Sequence, residues 1–473
     1  MDEERYRELC NECDEVLVEQ KDHIATISIS WLHVLREHPI FLAKYSSKKF
    51  ITFIFQFLQN FSHLVINLLK SAFQKDYHFF KNSFKQNKTD VVFVSHLLNS
   101  QSVDEVDFYF GRLPDEFSSL VLKLNHAKKF STSKDKNVLI LPRLLSFNKE
   151  LFLLINILNE FLRLLFLSRR FSGNKQVIYR RAAFEVLSPD TMMNLRLYKL
   201  LAEFFKETKP KIVITTYEGH AWERMVFAAT KVFNGRSIES IGYQHAALFR
   251  LQHAIYRSLG QNFDPTFVLC AGSVGFNQMQ KRSNLLSRIE GVMGSPRALQ
   301  KSYVKAISSS KKILVIPEGI LGECIDLFTF SMECAKLDPS ITFIWRLHPL
   351  MSFNKIFSAS RALLNRPKNI EISCNNFEDD ILNSTFVLYR GSTAVVPAVA
   401  RGLVPIYLNQ KNSFSVNPLF EIIKKCIGVS TPQELIEALS SAKFDQSLTE
   451  YCAQFYQPLS SKPLRRIISN HSK

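Results

Sequence analysis

Between residues 389 and 408 the chain reads Tyr389-Arg-Gly-Ser-Thr-Ala-Val-Val-Pro-Ala-Val-Ala-Arg-Gly-Leu-Val-Pro-Ile-Tyr-Leu408. The order is that of a buried strand, a turn at Gly391, a helix of small residues, Gly402 and a second buried strand. Gly402 occupies a C′ position, where glycine commonly ends a helix. Ser392 and Thr393 come at the start of the helix, where free amides and the helix dipole favour a phosphate. The segment predicts a phosphate-binding strand–turn–helix–strand unit of an α/β domain.

A second polar cluster follows the predicted strand Phe343-Ile-Trp345. In open α/β sheets, ligands bind beyond the carboxyl ends of the strands, so this cluster and the Gly391 turn are expected at one edge. Cleavage of a nucleotide–sugar bond leaves negative charge on phosphate, which a His and hydroxyl groups can stabilise. The predicted donor-binding residues are Arg346, His348, Pro349, Arg390, Gly391, Ser392, Thr393 and, from the turn Pro317-Glu-Gly319, Glu318. In the alternative interpretation, His348 only caps a strand, the hydroxyls only cap a helix, and Pro317-Glu-Gly319 is a simple strand–helix turn.

The first half of the chain contains a candidate general base. Glu218 comes just after the predicted strand 211–216, at the edge of the sheet where reactive groups of such folds lie. A carboxylate there can take a proton from an acceptor hydroxyl. His245, in the turn Gly242-Tyr-Gln-His245, is the rival base or a contact to the nucleotide, and a structural cap is the alternative role for Glu218. Further predicted acceptor or cleft residues are His220, Trp222, Arg224, Gln244, Ser95 and His96.

The length of 473 residues is sufficient for two α/β domains plus extensions. The predicted fold class is α/β, with two Rossmann-like, doubly wound domains facing a cleft and an N-terminal helical extension. Residues 1–85 form that extension, which can associate with a membrane. Residues 86–295 form the acceptor domain with a helical insertion at 148–170, residues 296–445 form the nucleotide-sugar domain, and residues 446–473 form a C-terminal tail.

Hydrophobic runs and turn residues predict the individual elements. The first domain has predicted strands at 89–95, 137–141, 176–179, 211–216, 237–245 and 265–272, and a helix at 189–207. The second domain has predicted strands at 312–316, 342–345, 370–372, 386–388 and 405–408, and a helix at 433–441. The connection between the domains is expected at about residues 290–310.

The chain is basic, with a net charge of +17, and its charges are spread along its whole length. An anionic membrane or a phosphorylated substrate explains this charge better than nucleic acid, since no nucleic-acid-binding motif is present. Residues 50–69 contain no Asp, Glu, Lys or Arg and are long enough to span a membrane. Polar residues interrupt them, which favours an amphipathic or core helix over a membrane span. Residues 151–167 predict an apolar helix, followed by Arg169 and Arg170, that packs between domains or lies at lipid headgroups.

Eight cysteines are scattered, and only Cys10 and Cys13 form a CxxC, which indicates free thiols in a reducing compartment. The acidic N-terminus does not resemble a secretory signal, so we expect a cytoplasmic protein at the inner face of the membrane. There is no P-loop, GxGxxG, HExxH or GxSxG motif. The acidic run 378–380 is interpreted as the first turn of a helix rather than a metal site. No metal and no cofactor other than a nucleotide-sugar donor is predicted.

These residues resemble those of the GT-B glycosyltransferases of bacterial surface-carbohydrate assembly, especially enzymes that use CMP-activated sugars. Bacterial sialyltransferases of that class have a His-Pro motif and a Ser/Thr pair that hold CMP, matched here by His348-Pro349 and Ser392-Thr393. They also have an acidic-acidic-Gly motif that supplies the base. Only Glu218-Gly219 matches this motif, because Tyr217 occupies the first acidic position, and this departure leaves the base assignment open.

Two further segments extend the resemblance, which covers roughly residues 89–445. Tyr243-Gln-His245 is similar to Gln-His turns in capsule enzymes and CDP-glycerol transferases. Phe93-Val-Ser-His96, Asp107-Phe-Tyr-Phe-Gly-Arg-Leu-Pro114 and Glu218-Gly-His-Ala-Trp-Glu-Arg224 resemble an uncharacterised surface-carbohydrate biosynthesis family of spirochaetes and other bacteria.

The resemblance implies metal-independent transfer of a sugar, with an ulosonic acid from a CMP-sugar as the best candidate, to a lipid-linked or surface glycan of O-antigen or lipopolysaccharide type. Glu218 would then activate the acceptor, and His348, Ser392 and Thr393 would stabilise the departing phosphate. One alternative is a CDP-glycerol-type polyol-phosphate transferase with His245 as base. Another is a non-catalytic nucleotide-binding subunit of a carbohydrate-assembly complex.

Overall fold

The structure is a computed structural model. It describes residues 3–28, 50–73, 75–83, 89–97, 106–126, 133–232, 238–299, 311–349, 351–410 and 414–471. Residues 300–310 of the predicted interdomain connection and residue 237 of a predicted strand lie outside the described residues.

Two parallel sheets form the framework. The first has the strand order β3-β2-β1-β4-β5-β6-β7 and the second the order β10-β9-β8-β11-β12-β13. The strands of the first sheet are β1 Val91–Leu97, β2 Ser119–Asn125, β3 Val138–Ile140, β4 Ile212–Thr216, β5 Glu239–Gln244, β6 Phe267–Cys270 and β7 Arg288–Val292. Those of the second are β8 Lys312–Val315, β9 Thr342–Trp345, β10 Ile370–Ile372, β11 Phe386–Tyr389, β12 Val404–Leu408 and β13 Ile427–Val429. The strand order reverses between β1 and β4 and between β8 and β11, so each sheet has the switch point at which doubly wound domains bind ligands.

Helices alternate with the strands in both domains. Those before and within the first sheet are α1 Glu3–Glu19, α2 Ile24–Ile27, α3 Phe50–Ser71, α4 Asp76–Ser83, α5 Phe147–Ser168, α6 Gly173–Glu185, α7 Pro189–Thr208, α8 Ala221–Thr230 and α9 Ser273–Arg282. The others are α10 Leu321–Leu337, α11 Phe353–Ala359, α12 Phe377–Leu382, α13 Val395–Ala400, α14 Pro432–Ser441, α15 Gln446–Ala453 and α16 Lys462–His471. Short 3₁₀ turns occupy Leu113–Glu116, Arg361–Asn365 and Phe420–Lys425.

The strands are buried on both faces, as helix-covered parallel sheets require. In β1, Val92 and Val94 belong to a cluster with the helices of the first domain, whereas Val91 and Phe93 belong to a different cluster. That second cluster extends into the other domain, where it includes Leu314 and Val387. The two domains therefore share one continuous apolar contact as well as the cleft above it.

The predicted pair of doubly wound domains is confirmed, and ten of the eleven predicted strands overlap observed ones. The predicted strand at 176–179 is wrong, because these residues lie inside α6. Ile178, Tyr179, Ala182 and Ala183 bury one helical face there, and this packing outweighs the local strand preference of Val177 and Ile178. Strands β2, β7 and β13 were missed. Lys123 and Asn125 interrupt the apolar run of β2, and β13 has only three residues.

The N-terminal helices pack against the first domain. Cys13 and Val16 of α1 and Leu64 of α3 join its main cluster. Cys10 and Cys13 are buried free thiols, and burial raises the pKa of Cys10 to about 11. By length and composition α5 could cross a membrane, but 33% of its most apolar stretch is buried in the domain. Its Glu150 also accepts hydrogen bonds from Arg196 at 2.7 and 2.9 Å, which ties this helix to α7.

Residues 446–471, which we call the return segment, pass from the second domain back to the first. The amide of Gln457 donates to the carbonyl oxygen of Ala271 at 2.9 Å, and its carbonyl accepts from Ser295 at 2.7 Å. Leu464 and Ile467 of α16 then enter the apolar cluster that both domains share. The stretch predicted as a tail is therefore an interdomain connection.

Candidate active site

A cavity of about 530 Å³ lies between the two domains, at the carboxyl ends of the strands. Glu218, which follows β4, lines it from the first domain. Its second-domain lining comprises the turns after β8, β9 and β11 and includes Glu318, Arg346, His348, Pro349, Gly391, Ser392 and Thr393. Seven of the eight predicted donor-binding residues and the predicted base thus meet in one cavity, although they are up to 175 positions apart in the chain.

The second-domain wall is closely packed around two glycines. A Cβ atom on Gly319 would lie 2.9 Å from Nδ1 of His348, and one on Gly391 would lie 2.6 Å from Oε2 of Glu318. Burial lowers the pKa of His348, so its imidazole is neutral at pH 7 and can donate one hydrogen bond. The helix after Ser392 and Thr393, α13, has six residues and no side-chain cap. The side-chain hydroxyls of Ser392 and Thr393 therefore do not cap this helix, as the alternative interpretation required.

Glu218 is held between two histidines. Its Oε2 lies 3.2 Å from Nε2 of His220, and its Oε1 lies 3.2 Å from Nε2 of His245. Only Glu218 of these three lines the cavity. The histidines therefore position the carboxylate from behind, and the two rival bases of the sequence form one unit in which Glu218 faces the cavity.

The N-cap residue of α8 is His220, and the carboxylate that binds the backbone amides before this helix is that of Glu223, not Glu218. The Glu223 carboxylate accepts from the backbone amides of Glu218, Gly219 and His220 at 2.8–3.1 Å. It is buried, and burial raises its pKa to about 7. Gly219 has a φ of +86°, and a Cβ atom there would lie 2.4 Å from the Ala254 carbonyl oxygen. Because Glu223 binds the amides of this turn, the Glu218 side chain is not needed for that role, and it lines the cavity instead.

The second domain contains the same arrangement of a buried Glu side chain and backbone amides. Glu323 of α10 accepts from the amide of Glu318 at 3.3 Å and from that of Gly391 at 2.9 Å. Both segments read Glu-Gly-x-x-x-Glu, over residues 218–223 and 318–323. In each, the second Glu is buried and binds backbone amides, while the first lines the cleft. This repetition is a signal in the sequence that would have identified Glu223 and Glu323.

An aromatic cluster lies beside Glu218. The His96 ring is 4.7 Å from that of Trp222 and 5.5 Å from that of Tyr109, and Tyr109 is 4.8 Å from His245. Nδ1 of His96 lies 2.9 Å from Nε2 of His126. Burial, followed by the nearby His126, lowers the pKa of His96 to about 3. The cluster offers flat aromatic surfaces next to Glu218, and its members His126 and Tyr109 were not among the predicted site residues.

Four predicted site residues lie elsewhere. Arg224 is fully buried and bound to Asp264 at 2.5 Å and to the Arg257 carbonyl at 2.8 Å, so it is structural. Ser95 and Gln244 are buried in the sheet, and Gln244 bonds to the Ala246 carbonyl. Arg390 donates to the Phe414 carbonyl at 3.0 Å and lies 3.9 Å from Glu323. None of these four lines the cavity, because their side chains turn into the domain cores.

Two arginines line the cavity with different partners. Arg346 donates to Asp380 at 2.6 Å and to the Asn375 carbonyl at 2.8 Å, so its charge is paired. Arg297 stacks on Phe108 at 4.7 Å. Among the described residues, no carboxylate lies within ion-pair distance of Arg297. Residue 297 falls in the stretch predicted as the interdomain connection, so it was not among the predicted site residues. Arg297 is therefore the cleft cation with the greatest capacity to bind an anion.

Among the described residues, no group of three or more His, Cys, Asp or Glu side chains could hold a metal ion. Asp379 and Asp380 lie in the first turn of α12, as predicted, with Asn376 as its cap. The two sheets, their switch points and the cleft between them define a protein with two Rossmann-like domains in the GT-B arrangement.

No family model and no curated protein matches the chain. Solved structures resemble it at low identity. A UDP-GlcNAc 2-epimerase from Neisseria meningitidis bound to UDP-GlcNAc is 12% identical over 81% of this chain and 100% of that one, with a TM-score of 0.41. MurG of Acinetobacter baumannii is 12% identical over 80% and 99%, with a TM-score of 0.42. A kitacinnamycin glycotransferase is 11% identical over 81% and 95%, with a TM-score of 0.43. Because the identities and TM-scores are this low, we assign the fold class from the two parallel sheets.

Proposed function

We propose that this chain is a glycosyltransferase whose second domain binds a nucleotide-activated sugar and whose first domain presents an acceptor hydroxyl to Glu218. One observation carries the proposal: a carboxylate held by two histidines shares a single interdomain cavity with His348, Ser392 and Thr393. A base and a phosphate-binding wall on opposite sides of one cleft are what sugar transfer from a nucleotide requires.

In the proposed step, Glu218 accepts the proton of the acceptor hydroxyl while that oxygen forms a bond to the anomeric carbon of the donor sugar. The bond between that carbon and the phosphate oxygen breaks, and its electron pair leaves with the nucleotide. His220 and His245 hold the Glu218 carboxylate in position. Each Nε2 lies 3.2 Å from one oxygen of the carboxylate, so a ring that carries its proton on Nε2 can donate a hydrogen bond to Glu218.

The departing phosphate gains charge as the bond breaks, and the second domain would stabilise that charge. His348 can donate from a neutral ring, and Ser392 and Thr393 can donate through their hydroxyls. Arg297, whose charge has no carboxylate partner among the described residues, would supply the cation. Because these groups provide both charge and donors, the proposed step needs no metal, and we expect EDTA to leave the rate of transfer unchanged.

The finer assignment concerns the donor, which we propose to be a CMP-sugar, with an ulosonic acid as the sugar. It rests on the resemblance of His348-Pro349 and Ser392-Thr393 to the CMP-binding motifs of bacterial sialyltransferases. Calorimetry with CMP, CDP, UDP, GDP and ADP tests it. Selective binding of CMP that is lost in His348→Ala would support the assignment, whereas selective binding of UDP or GDP would contradict it.

Two variants test the division of roles. Glu218→Gln should keep nucleotide affinity and lose transfer by about a hundredfold or more, because the amide cannot accept the proton. His348→Ala should lose nucleotide affinity and transfer together. Glu207→Gln, at an exposed position on α7, is the control and should match the wild type. Full transfer activity in Glu218→Gln would refute the role of Glu218.

Product analysis distinguishes the alternatives. A polyol-phosphate transferase would deliver phosphate with the transferred group, whereas a glycosyltransferase leaves it on the nucleotide. A non-catalytic subunit would bind nucleotide, show no turnover and tolerate the Glu218 and His245 substitutions. The position of His245 behind Glu218 favours sugar transfer, since the rival mechanism needs His245 to meet the acceptor directly.

We further propose that the enzyme works at the anionic inner face of the cytoplasmic membrane. Helices α3 and α5 lie side by side, with Phe57 and Phe161 rings 5.5 Å apart, and both expose apolar stripes. The exposed side chains include Phe55, Leu58, Ile66, Leu69, Phe152, Ile155, Leu162 and Phe166. Arg170 lies over Phe166 at 4.6 Å, and Arg169 is exposed beside it. An apolar stripe with arginines at its end is typical of a helix at a lipid interface.

Vesicle sedimentation tests the membrane proposal. The double variant Phe152→Ser, Leu162→Ser should bind vesicles containing phosphatidylglycerol less than the wild type does, because these side chains are 57% and 61% exposed on the stripe. Leu286→Ser is the matched control, at 63% exposure in the loop before β7. Equal binding by all three proteins would contradict the proposed surface, and high salt should weaken wild-type binding.

A further inference from the structure

A second cavity, of about 280 Å³, lies where α1 packs on the loop 249–257. Four arginines line it: Arg7, Arg250, Arg257 and Arg282. The hydroxyl of Tyr6 donates to the Leu251 carbonyl at 2.9 Å, which holds α1 against the loop. The cavity is therefore built from segments about 245 residues apart. Its lining differs from that of the candidate active site except at Gln252.

Arg257 is the buried member of this group. It is 3% exposed, and none of its guanidinium nitrogens donates a hydrogen bond within the part of the chain that the structure describes. Its charge partner is Asp14, with Nε and Oδ1 3.2 Å apart. A buried guanidinium with unmet donors is unfavourable unless an acceptor is supplied, so this residue indicates a missing anionic or polar ligand.

The cavity has an excess of positive charge. Arg7 and Arg250 share Glu3, at 2.8 and 2.5 Å, and Arg257 shares Asp14 with His253. Arg282 binds the Phe249 carbonyl at 3.3 Å and lies over the ring of Tyr256 at 4.4 Å. It has no carboxylate partner among the described residues. Four guanidinium groups therefore face two carboxylates, and about two positive charges are left for a ligand.

We infer that this cavity binds a phosphate-bearing anion of about diphosphate size, and that Arg257 and Arg250 are its principal contacts. Arginine forks match phosphate oxygens in pairs, which gives both geometry and charge. The volume is below that of sites for drug-sized ligands, roughly 300 Å³ and above, and suits a small anionic group. The inference does not rest on the proposed sugar transfer.

The position of the cavity suggests how the anion relates to the cleft. Gln252 lines both cavities, and its side chain accepts from the amide of Phe249 at 3.1 Å, which closes the turn between them. An anion beside this turn would therefore lie next to the first-domain side of the cleft. The phosphate can come from a free anion or from the phosphate of a lipid-linked acceptor, and both share the same chemistry.

The test is a titration of the full-length protein with inorganic pyrophosphate at constant ionic strength, followed by calorimetry and thermal unfolding. Wild type should bind and gain melting temperature. Arg250→Gln and Arg257→Gln should each weaken the affinity for pyrophosphate by about tenfold or more. Arg361→Gln, an exposed arginine of the second domain, is the matched control and should bind as wild type does. The Arg250 side chain is 44% exposed, so its variant should fold even if Arg257→Gln does not.

A parallel arm uses phosphatidylcholine vesicles with and without a polyprenyl phosphate. Arginine-dependent binding of those vesicles identifies a lipid-linked source, and binding of pyrophosphate alone identifies a free anion. His348→Ala should still bind pyrophosphate, and Arg250→Gln should keep the wild-type affinity for nucleotide. The two variants therefore distinguish a failure of the anion-site inference from a failure of the proposed donor site. The inference is overturned if neither probe binds, if both arginine variants bind like the control, or if the response is lost in His348→Ala.

Discussion

Arg297 and Arg346 both line the cleft, yet their charges have different partners. Arg346 is bound to the buried Asp380 at 2.6 Å, whereas Arg297 stacks on Phe108. An arginine already paired with a buried acid has little charge left for a ligand and mainly keeps that acid from being an isolated buried charge. At the scale of the residue, pairing decides which arginine is available for binding.

This contrast predicts opposite effects of the same substitution. Arg346→Gln should cost roughly 2–3 kcal/mol of unfolding free energy, because Asp380 stays buried without its cation. Arg297→Gln should leave stability nearly unchanged and weaken nucleotide affinity. Urea unfolding and calorimetry on the two variants check both. The assignment fails if Arg297→Gln binds nucleotide as the wild type does.

His96 predicts a pH dependence of stability. Its pKa is about 3 in the folded protein and 6.5 as an ordinary value. The folded state therefore resists protonation, and the stability from this group is present above pH 6.5 and lost as pH falls toward 3. Between pH 7.5 and 5, the loss of unfolding free energy should be smaller in His96→Gln than in the wild type by about 1–2 kcal/mol, measured by urea unfolding.

The control for this measurement is His63→Gln, at an exposed position on α3. Its stability should fall with pH as that of the wild type does. If both histidine variants showed the same pH dependence, the burial of His96 would not be the cause.

At the scale of the element, the same turn is built twice. Each Glu-Gly-x-x-x-Glu segment joins a central strand to a helix, β4 to α8 and β8 to α10. The second Glu binds amides at the turn, so the first can point into the cleft without being needed as a cap. The two strands occupy different positions in their sheets. The two turns therefore have the same local structure at positions that are not equivalent in the two domains.

The turn predicts a loss of both stability and function. Glu223→Ala leaves the amides of Glu218, Gly219 and His220 without their acceptor, which should cost about 2–4 kcal/mol. Because the turn then no longer positions Glu218, transfer should fall as well, with nucleotide affinity kept. Thermal unfolding and an assay of transfer check this, with Glu207→Ala as the exposed control. Full activity in Glu223→Ala would show that the turn does not position Glu218 for transfer.

At the scale of the whole molecule, the return segment holds the two domains together. It passes close to two glycines of the first domain. A Cβ atom on Gly272 would lie 2.1 Å from the Gln454 carbonyl oxygen, and one on Gly294 would lie 2.1 Å from that of Pro458. Such contact needs glycine, so the backbone of the segment rests directly on the first domain and forms one side of the cleft through Tyr456.

Two glycines with the same backbone angle test this contact. Gly294 has a φ of +85° and meets Pro458, whereas Gly260 has a φ of +87° and nothing within 4 Å. Gly260→Ala should cost about 1–2 kcal/mol from backbone strain alone. Gly294→Ala should cost more, because the return segment must also move. Equal melting temperatures of the two variants would argue against close packing of the segment.

Much of the framework could be predicted from the sequence because strands and turns are encoded by neighbouring residues. The run from Phe386 to Tyr389, the turn at Gly391 and the helix end at Gly402, with its φ of +96°, each depend on a few adjacent positions. Strand β2 was missed because Lys123 and Asn125 interrupt its pattern, and only its neighbours β1 and β3 determine its place in the sheet.

The sequence by itself determined the two parallel domains, the turns at the ends of their strands and the presence of Glu218, His348, Ser392 and Thr393 in those turns. Only the tertiary structure decided that His245 lies behind Glu218, that the side chains of Arg224 and Arg390 turn away from the cavity, and that Arg297 reaches the cleft. The physical reason is the distance along the chain over which each interaction acts. Backbone conformation and burial patterns arise within a few residues, whereas the partner of a charge is set by chain segments that meet only after folding.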